Sequence, residues 1–469
     1  MDLLPAGWTV ALDRATRVGP DGAWVLGGRP ARLLRLAPGG RAALAELRRT
    51  RDGQGDSLGE NARRLGGRLV ETGLAHPHPP SAAPPAGTVT VAVPVHDRPA
   101  ELDRCLASLG GAGAGVDVLV VDDGSRDADA IAAVCARHAA RVVRHDRSLG
   151  PAAARNRALQ EAVTPLVAFL DSDCVAAPGW LHRLWPHFDD ERVVAVAPRV
   201  RPGPAPRPHS VVGRYVAARF PLDLGPVEGL AGPGRPVAYV PTAALVVRRR
   251  ALAFDEGLRV GEDVDAVWRL GADGARVRYT AQPLVVHDHP GDWSTMLRRR
   301  FAYGTSVAPL DERHPGRVPA LLLPPWPTAA VALLLARRPG AATAAALAPM
   351  VPAVGRLRRR GLPATLALRA GAGTVWATGI GLSRAATWFA TPALLAGVLR
   401  GGRTRAPATA LLLALPLDEW RRGRPALDPL RFTAACLLDE AAYGAGVLRG
   451  CLARRSLRPL VPRRSFVRD

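Results

Sequence analysis

Residues Val116–Ser125 read V-D-V-L-V-V-D-D-G-S, an apolar β run that ends in two aspartates and a glycine turn. A second apolar run, Pro165–Leu170, ends in a similar way, with Asp171 and Asp173 in the sequence D-S-D. Helical segments alternate with these runs along the middle of the chain. Continuous apolar strands of this kind are typical of a parallel sheet covered by helices on both faces. The pattern therefore predicts an α/β domain over residues 88–310.

Four motifs with charged residues lie in a fixed order, where an apolar β run ends or a helix begins. The carboxyl ends of the strands in an open α/β sheet border the crevice where ligands bind. Carboxylates carried there by successive strands converge, although they are far apart in sequence. The four motifs are D-D at Asp122 and Asp123, R-N at Arg155 and Asn156, D-S-D ending at Asp173, and G-E-D-V-D beginning at Gly261. Together they indicate a transferase that binds a sugar nucleotide.

The first aspartate pair suits a nucleoside. Asp122 and Asp123 would accept hydrogen bonds from a base N–H or from ribose hydroxyl groups. The alternative is a D-D-G-S turn in which aspartate and glycine serve only the backbone.

The D-S-D motif suits a divalent metal ion. Carboxylates one residue apart at a strand end would hold Mg²⁺ or Mn²⁺, which prefer oxygen ligands and pair with phosphates. A lone D-x-D is common on protein surfaces, but this one follows a buried strand. Arg155, in the preceding helix, would contact the phosphates as a cation.

Glu262 and Asp263 begin a helix, where the helix dipole favours carboxylates even without a catalytic role. As a catalytic residue, Asp263 would be the general base that takes the acceptor proton. One base without a covalent nucleophile predicts inversion at the anomeric carbon. His287, at the end of a strand, is a candidate further metal ligand, with His289 as a less favoured substitute.

Residues from Thr88 to about Pro309 resemble family-2 glycosyltransferases of the GT-A fold. V-P-V-H-D-R at Val93–Arg98 resembles the opening strand of that family, and the other motifs resemble its nucleoside, metal and catalytic-base sites. The resemblance implies donor-binding roles for Pro94, Asp97, Asp122, Asp123, Arg155 and Asp171. It also implies metal ligation by Asp173 and His287 and catalysis by Asp263 with Glu262. His96 stands where the family more often has tyrosine. The Q-x-x-R-W motif of processive members has no counterpart, so synthesis of long chains is not expected.

Motifs outside this core resemble those of mycofactocin-system glycosyltransferases. They are L-P-x-G near the start, V-L-G-G-R-P-A-R-L-L-R-L, and R-R-R-F-A-Y-G-T-S. The resemblance implies transfer of glucose from UDP-glucose to a peptide-derived redox cofactor, which builds a short β-linked oligosaccharide. The alternative within the same family is a cell-envelope or polyprenyl-phosphate glycosyltransferase.

The first 75 residues predict a small separate module. Trp24–Leu26 and Leu33–Leu36 flank a glycine turn, and Arg41–Arg49 and Leu58–Thr72 have helical periodicity. A hairpin with helices resembles the small winged-helix modules that capture precursor peptides, although a packing domain is an equal alternative. The Pro-rich residues 76–87 predict an extended linker outside any core.

Residues 311–469 predict an Ala- and Arg-rich helical region. Its apolar runs are short for a membrane span, which needs about 20 residues. Arginine clusters separate the runs, as expected for helices associated with an anionic leaflet. A soluble helical bundle is the alternative.

The composition excludes some partners and compartments. The net charge is +22, but all 63 basic residues are arginine, they are spread along the chain, and only 5% of residues are aromatic. We therefore expect no nucleic-acid partner. The five cysteines form no C-x-x-C pair, and the N-terminus lacks the features of a signal peptide. We expect a cytoplasmic protein, held at the cytoplasmic face of the membrane if the C-terminal helices associate with lipid.

Overall fold

The computed structural model describes residues 3–28, 31–51, 58–110, 116–204, 207–272, 274–318 and 320–464. The chain divides into two compact units. The first consists of Met1–Gly203 and Pro221–Asp288, and the second of Pro204–Phe220 and His289–Asp469.

The N-terminal part of the first unit contains five short strands and two helices. They are β1 (Thr9–Leu12), β2 (Arg17–Val18), β3 (Trp24–Gly27), β4 (Arg32–Arg35), α1 (Pro38–Arg51), α2 (Glu60–Glu71) and β5 (Ala75–His78). Strands β3 and β4 form the expected antiparallel hairpin, with β2 beside β3. The apolar faces of α1 and α2 meet Leu4, Trp8 and Val25 in one buried cluster.

The first residues of the expected linker belong to this module. Strand β5 pairs antiparallel with β1, with Thr9 opposite His78 and Leu12 opposite Ala75. The His76 imidazole hydrogen-bonds with Asp13 at 2.9 Å. The prediction of a linker over 76–87 is therefore wrong at its start, because a proline in a two-stranded edge pairing costs few hydrogen bonds.

The remainder of the first unit contains one large sheet. Its strands are β6 (Val89–Val95), β7 (Asp117–Asp122), β8 (Arg141–Arg144), β9 (Leu166–Leu170), β10 (Cys174–Ala176), β11 (Val193–Pro202), β12 (Gly229–Leu230), β13 (Ala244–Arg248) and β14 (Arg276–His287). The helices of this stretch of chain are α3 (Pro99–Leu109), α4 (Ala128–Arg137), α5 (Pro151–Glu161), α6 (Val211–Ala218) and α7 (Glu262–Ala272), of which α6 lies in the second unit.

The sheet is mixed rather than parallel throughout. In the described residues the strand order is β10-β14-β11-β13-β9-β6-β7-β8, with β12 beside β14. Strands β9, β6, β7 and β8 are parallel to one another. Strand β13 runs antiparallel to both β9 and β11, and β10 antiparallel to β14. The expectation of a parallel sheet holds for β9, β6, β7 and β8 and for the pairing of β11 with β14, but not for the whole sheet. A buried antiparallel strand is as apolar as a parallel one, so the sequence does not distinguish them.

The second unit is helical. Besides α6 it contains α8 (Trp293–Thr305), α9 (Val307–Arg313), α10 (Pro325–Leu335), α11 (Pro339–Leu347), α12 (Met350–Arg359), α13 (Thr365–Phe389), α14 (Thr391–Arg400), α15 (Gly402–Gly423) and α16 (Pro429–Ala453). The unit begins at His289 and includes α6, so the expected boundary at residue 310 lies too late in the chain. Helix α13 continues through Arg384, which lies between two apolar stretches of the sequence, and the second stretch extends into α14.

In the part of the chain that the structure describes, no single helix is long and apolar enough to cross a membrane. Helices α13 and α14 meet the length and hydropathy requirements only together, and they are bent by 100° at the break between them.

Candidate active site

The carboxyl ends of three parallel strands place the acidic motifs at one edge of the sheet. Val95 of β6 lies opposite Asp122 of β7, and Ala92 of β6 opposite Phe169 of β9. Since β9 ends one residue later, Asp171 follows at the same edge. The register thus brings together the motifs that the sequence predicts to converge.

Asp122 and Asp123 are buried and make many hydrogen bonds within the protein. Asp122 accepts from the Ser125 N–H at 2.9 Å and pairs with Arg144. The two carboxylate oxygens of Asp123 take part in four hydrogen bonds of 2.8–2.9 Å, with His145 Nδ1, Ser148 Oγ, Leu149 N and Gly150 N. Burial acts to raise the pKa of Asp123, but these hydrogen bonds outweigh it and hold the pKa below its ordinary value. Both aspartates therefore shape the loop at this edge, and their contact with a nucleoside stays a prediction.

Asp97 has a backbone conformation that favours glycine, with φ at +54°. Its N–H donates to Ser125 Oγ at 2.9 Å, and its carboxylate accepts from Arg126 N and Nε at 2.7 and 2.8 Å. The hydrogen bond from the Arg126 backbone N–H lowers the pKa of Asp97. Pro94 lies one residue from the end of β6, opposite Val121 of β7. These contacts join the opening motif to the D-D-G-S turn.

Asp173 and His287 meet because β10 and β14 pair. Cys174 lies opposite His287, and the Asp288 N–H donates to the Asp173 carbonyl oxygen at 2.9 Å. His287 Nε2 lies 3.3 Å from Asp173 Oδ1, and Arg98 pairs with the other carboxylate oxygen. Candidate ligand atoms of Asp173, Cys174 and His287 all lie within 4.8 Å of one another. His289 belongs to the second unit, where its ring lies 6.4 Å from that of Phe220.

The donor atoms of this group fit a divalent cation that prefers oxygen and nitrogen. Carboxylate oxygen and imidazole nitrogen suit Mn²⁺, whereas a thiolate would favour softer ions. Burial raises the pKa of Cys174 well above its ordinary value, and its Sγ lies 3.6 Å from the Ala243 carbonyl oxygen. Burial thus favours the protonated thiol in the metal-free protein, and a protonated thiol is a weaker ligand than a carboxylate or an imidazole. Asp173 and His287 remain as the two predicted ligands.

Arg155 joins two of the four motifs. Its side chain is 6% exposed, and it donates to Asp171 Oδ1 and to Glu262 Oε1, each at 2.9 Å. Burial acts to lower the pKa of Arg155, but Asp171 and Glu262 outweigh it and raise the pKa above the ordinary value. The predicted contact of Arg155 with phosphate therefore competes with two existing ion pairs. The geometry gives the guanidinium a positioning role between the strand β9 and the start of α7.

Asp263 lies beside Glu262 in the first turn of α7, and the Val264 N–H donates to its Oδ1 at 2.8 Å. Burial and the neighbouring Glu262 carboxylate raise the pKa of Asp263 to about 7. A carboxylate with a pKa near neutrality is suited to take a proton from a hydroxyl group at physiological pH. Asp263 therefore has the chemistry of a general base.

Sequence reasoning missed three residues that contact the predicted site. Arg98 pairs with Asp173, Arg144 pairs with Asp122, and Cys174 lies in the group with His287. Arg98 is the last residue of the quoted V-P-V-H-D-R motif and Cys174 directly follows D-S-D, so their positions were available as a signal. Arg144 ends an edge strand, and nothing in its local sequence indicates its partner.

Comparison with known proteins finds glycosyltransferases among the proteins that are similar to this chain. Residues 90–250 match the model of the family described as "Glycosyl transferase family 2". The chain is 36% identical over 484 aligned positions to the "Pre-mycofactocin glycosyltransferase" of Mycobacterium tuberculosis, covering 98% of each chain. It is 32% identical over 172 positions to the "Succinoglycan biosynthesis protein ExoU" of Rhizobium meliloti, covering 34% of this chain and 50% of that protein.

A similar solved structure is the mannosyltransferase PcManGT from Pyrobaculum calidifontis, in complex with GDP-Man and Mn²⁺. It is 20% identical with a TM-score of 0.35, and the match covers 72% of this chain and 91% of that one.

Proposed function

This chain belongs to the pre-mycofactocin glycosyltransferases, which are family-2 enzymes of the GT-A fold, and from that membership we propose its reaction. It transfers a hexose, glucose from UDP-glucose, to a peptide-derived redox cofactor precursor. The transfer inverts the anomeric carbon, depends on a divalent metal ion, and builds a short β-linked oligosaccharide. The relationship over the whole chain supports the acceptor class.

The donor would bind along the carboxyl edge of the parallel strands. Pro94 and Asp97 from the opening motif, with Asp122 and Asp123, would hold the nucleoside. The +54° φ of Asp97 supports such a role, since backbone strain is often kept at functional sites. Asp171 would contact the sugar and phosphate end of the donor, and Arg155 holds its carboxylate.

Asp173 and His287 would hold Mg²⁺ or Mn²⁺. The bound cation would stabilise the charge that develops on the departing diphosphate. Arg98 already places a positive charge against Asp173, and its side chain is 42% exposed. It is therefore able to turn toward a phosphate when the donor binds.

Asp263 would remove the proton from the acceptor hydroxyl as that oxygen attacks the anomeric carbon. Glu262 holds Arg155 and raises the pKa of Asp263, so the two adjacent carboxylates have different roles. With one base and no covalent intermediate, a single displacement inverts the configuration.

The main observation in support of this proposal is the raised pKa of Asp263. Asp263 lies beside Glu262, which pairs with Arg155. Asp263→Asn should lower turnover by about 10²–10⁴-fold, the usual size of general-base catalysis, while UDP binding stays close to wild type. Calorimetry with UDP and mass spectrometry of the glucosylated product measure the two effects. Loss of UDP affinity, or a product with retained configuration, would contradict the mechanism.

The N-terminal module would help to select the acceptor. It packs on the large sheet within the first unit, with His78 Nε2 3.0 Å from Glu228 Oε1. A tethered recognition module raises the effective concentration of what it binds. We propose a cytoplasmic location, supported by five free, buried cysteines.

A second candidate is glycosyl transfer to a polyprenyl phosphate, favoured by the exposed apolar side chains Trp376 and Leu399 of the second unit. Lipid extraction of the reaction mixture distinguishes the two acceptors. Radioactive glucose in the organic phase would indicate the lipid, and glucose on a water-soluble product the redox cofactor.

A further inference from the structure

The buried residues of helix α13 are small or polar, whereas several of its large apolar residues are exposed. The buried residues of this helix are Gly371, Thr378, Ser383 and Thr387. Trp376 is 50% exposed, and Leu368 and Phe389 are also exposed. None of the residues of α14, all of which the structure describes, is buried, and Leu399 is 83% exposed. A helix that packs on a water-soluble core normally has the opposite distribution.

Polar side chains are also buried among the apolar ones inside the second unit. The Ser383 hydroxyl donates to the Leu411 carbonyl oxygen at 2.6 Å and accepts from the Leu415 N–H at 3.0 Å, so it links α13 to α15. A partly buried ion-pair cluster joins Arg219 to three acidic residues. These partners are Glu419, Asp439 and Glu440. Hydrogen bonds of this kind between helices are typical of packing in a lipid environment.

Small residues also allow the helices to approach closely. Gly446 and Gly450 form a G-x-x-x-G pair on α16 that faces α8. A Cβ atom on Gly446 would lie 2.0 Å from the Phe301 carbonyl oxygen, and one on Gly450 would lie 2.6 Å from that of Thr305. Such contacts between helix backbones are characteristic of helices that associate without a hydrophobic driving force.

The charged side chains between Arg313 and Leu417 are all basic. From Arg313 to Leu417 the sequence contains thirteen arginines and no aspartate or glutamate. Exposed arginines flank the bent helix pair on both sides. Arg356, Arg358, Arg359 and Arg360 precede α13, and Arg400, Arg403 and Arg405 end or follow α14.

We propose that α13 and α14 insert as a bent pair into one leaflet of a bilayer that contains anionic lipids. The outward Trp376 and Leu399 would contact acyl chains, while the arginines before and after the pair would contact lipid phosphates. Arginine clusters lie at both ends of the helix pair, and the pair is bent by 100°. Both features favour an arrangement in which the two ends lie on the same side of the membrane, rather than a membrane span. A nucleic acid would match the arginines but not the exposed apolar side chains.

Flotation of the full-length protein with vesicles tests the proposal, using phosphatidylcholine with or without phosphatidylglycerol. We expect wild-type protein to float with the anionic vesicles and weakly with the neutral ones. Leu399→Glu and Trp376→Glu should each reduce binding at least about tenfold, because a carboxylate is costly among acyl chains. Val163→Glu is a matched control, since Val163 in the first unit is also 83% exposed. It should float like wild type.

If the surface of α13 and α14 does not bind lipid, the same experiments should give different results. Wild-type protein that does not float, or Leu399→Glu protein that floats equally well, would overturn the proposal. A stable oligomer that Leu399→Glu dissociates without any change in flotation would assign the surface to a second copy. Cysteines placed at Arg358 and Arg403 should both react with an impermeant maleimide added outside the vesicles, and protection of one would indicate a span. These measurements need neither donor nor acceptor, so they are independent of the proposed reaction.

Discussion

At the scale of single residues, the charge state of Asp263 depends on two neighbours with opposite effects. Burial and, after it, the Glu262 carboxylate raise the pKa of Asp263 to about 7, whereas the Arg155 guanidinium lowers it. A base is active when deprotonated, so the rate should rise with pH through about 7 and then level off. We expect kcat/KM of the wild-type enzyme to follow this curve.

Removing the Arg155 charge should move that curve to higher pH. Arg155→Met leaves Glu262 unopposed, so the acidic limb of the pH profile shifts upward, whereas Arg155→Lys should restore part of the wild-type position. A purely structural role would lower activity equally at every pH and would leave the limb unchanged.

Asp173 should anchor the metal ion. Asp173→Asn should abolish stimulation by Mn²⁺ and remove most of the transfer activity, because the amide lacks the charge that holds a divalent cation. Cys174→Ser is the matched control, since burial favours its protonated thiol, and it should keep its metal dependence. Transfer at the wild-type rate in EDTA would contradict the prediction.

At the scale of elements, one residue of α2 holds the N-terminal module against the large sheet. Glu71 pairs with Arg192 at 2.6 Å and with Arg276 at 2.5 Å. Glu71→Ala leaves the Arg276 guanidinium, 12% exposed, with Asp190 as its remaining acidic partner. We expect faster hydrogen exchange in β1 and β5, by about tenfold, and unchanged UDP affinity.

The control for this change lies on the same helix. Glu60 pairs only with Arg64 in the described contacts, and both side chains are about 70% exposed. An exposed pair contributes little to stability, so Glu60→Ala should leave the exchange rates unchanged. Equal effects of the two substitutions would show that Glu71 does not hold the module.

Elements with strong local signals could be predicted from the sequence. Helix α3 and strand β8 are examples, because Pro99 starts the helix and β-branched residues form the middle of the strand. The direction of β13 could not be predicted, since a strand buried on both faces has the same apolar pattern in either orientation. Strand β5 was not predicted, because the Pro-rich composition around it indicates a linker. Its two histidines have partners that are distant in sequence, so they give no local signal of a strand.

At the scale of the whole molecule, the candidate site was easier to predict than the two units. Strand ends have recognisable motifs, so the edge with Asp122, Asp171 and Asp173 could be inferred. The second unit takes α6 from the middle of the chain, where the Tyr215 hydroxyl donates to Asp439 at 2.9 Å across 224 positions. Contacts between residues so far apart leave no local pattern in one sequence.

The close packing of α8 and α16 should limit the stability of the second unit. Gly446→Ala puts a methyl group 2.0 Å from a carbonyl oxygen, where no side chain is able to move aside. We expect a loss of about 1–3 kcal/mol or more in the free energy of unfolding, as for overpacked cores. Thermal unfolding with and without UDP measures the loss.

Gly373→Ala on α13 is the control, because nothing lies within 4 Å of its Cβ position. Alanine stabilises an open helical position by up to about 1 kcal/mol relative to glycine. The melting temperature should therefore stay the same or rise. A comparable loss in both variants would attribute the effect to the helices themselves rather than to their contact.

The same glycine contacts constrain how the gene is able to change. Every first- or second-base substitution in a glycine codon yields a stop codon or a residue with a Cβ atom. At Gly444, Gly446 and Gly450 that atom would lie 2.0–2.6 Å from a backbone oxygen of a neighbouring helix. Neutral drift at these three codons is therefore restricted to the third base. A residue is invariant for a physical reason when only glycine fits the approach of two backbones. Saturation mutagenesis of Gly444–Gly450 should accordingly recover synonymous codons at these three positions and varied residues between them.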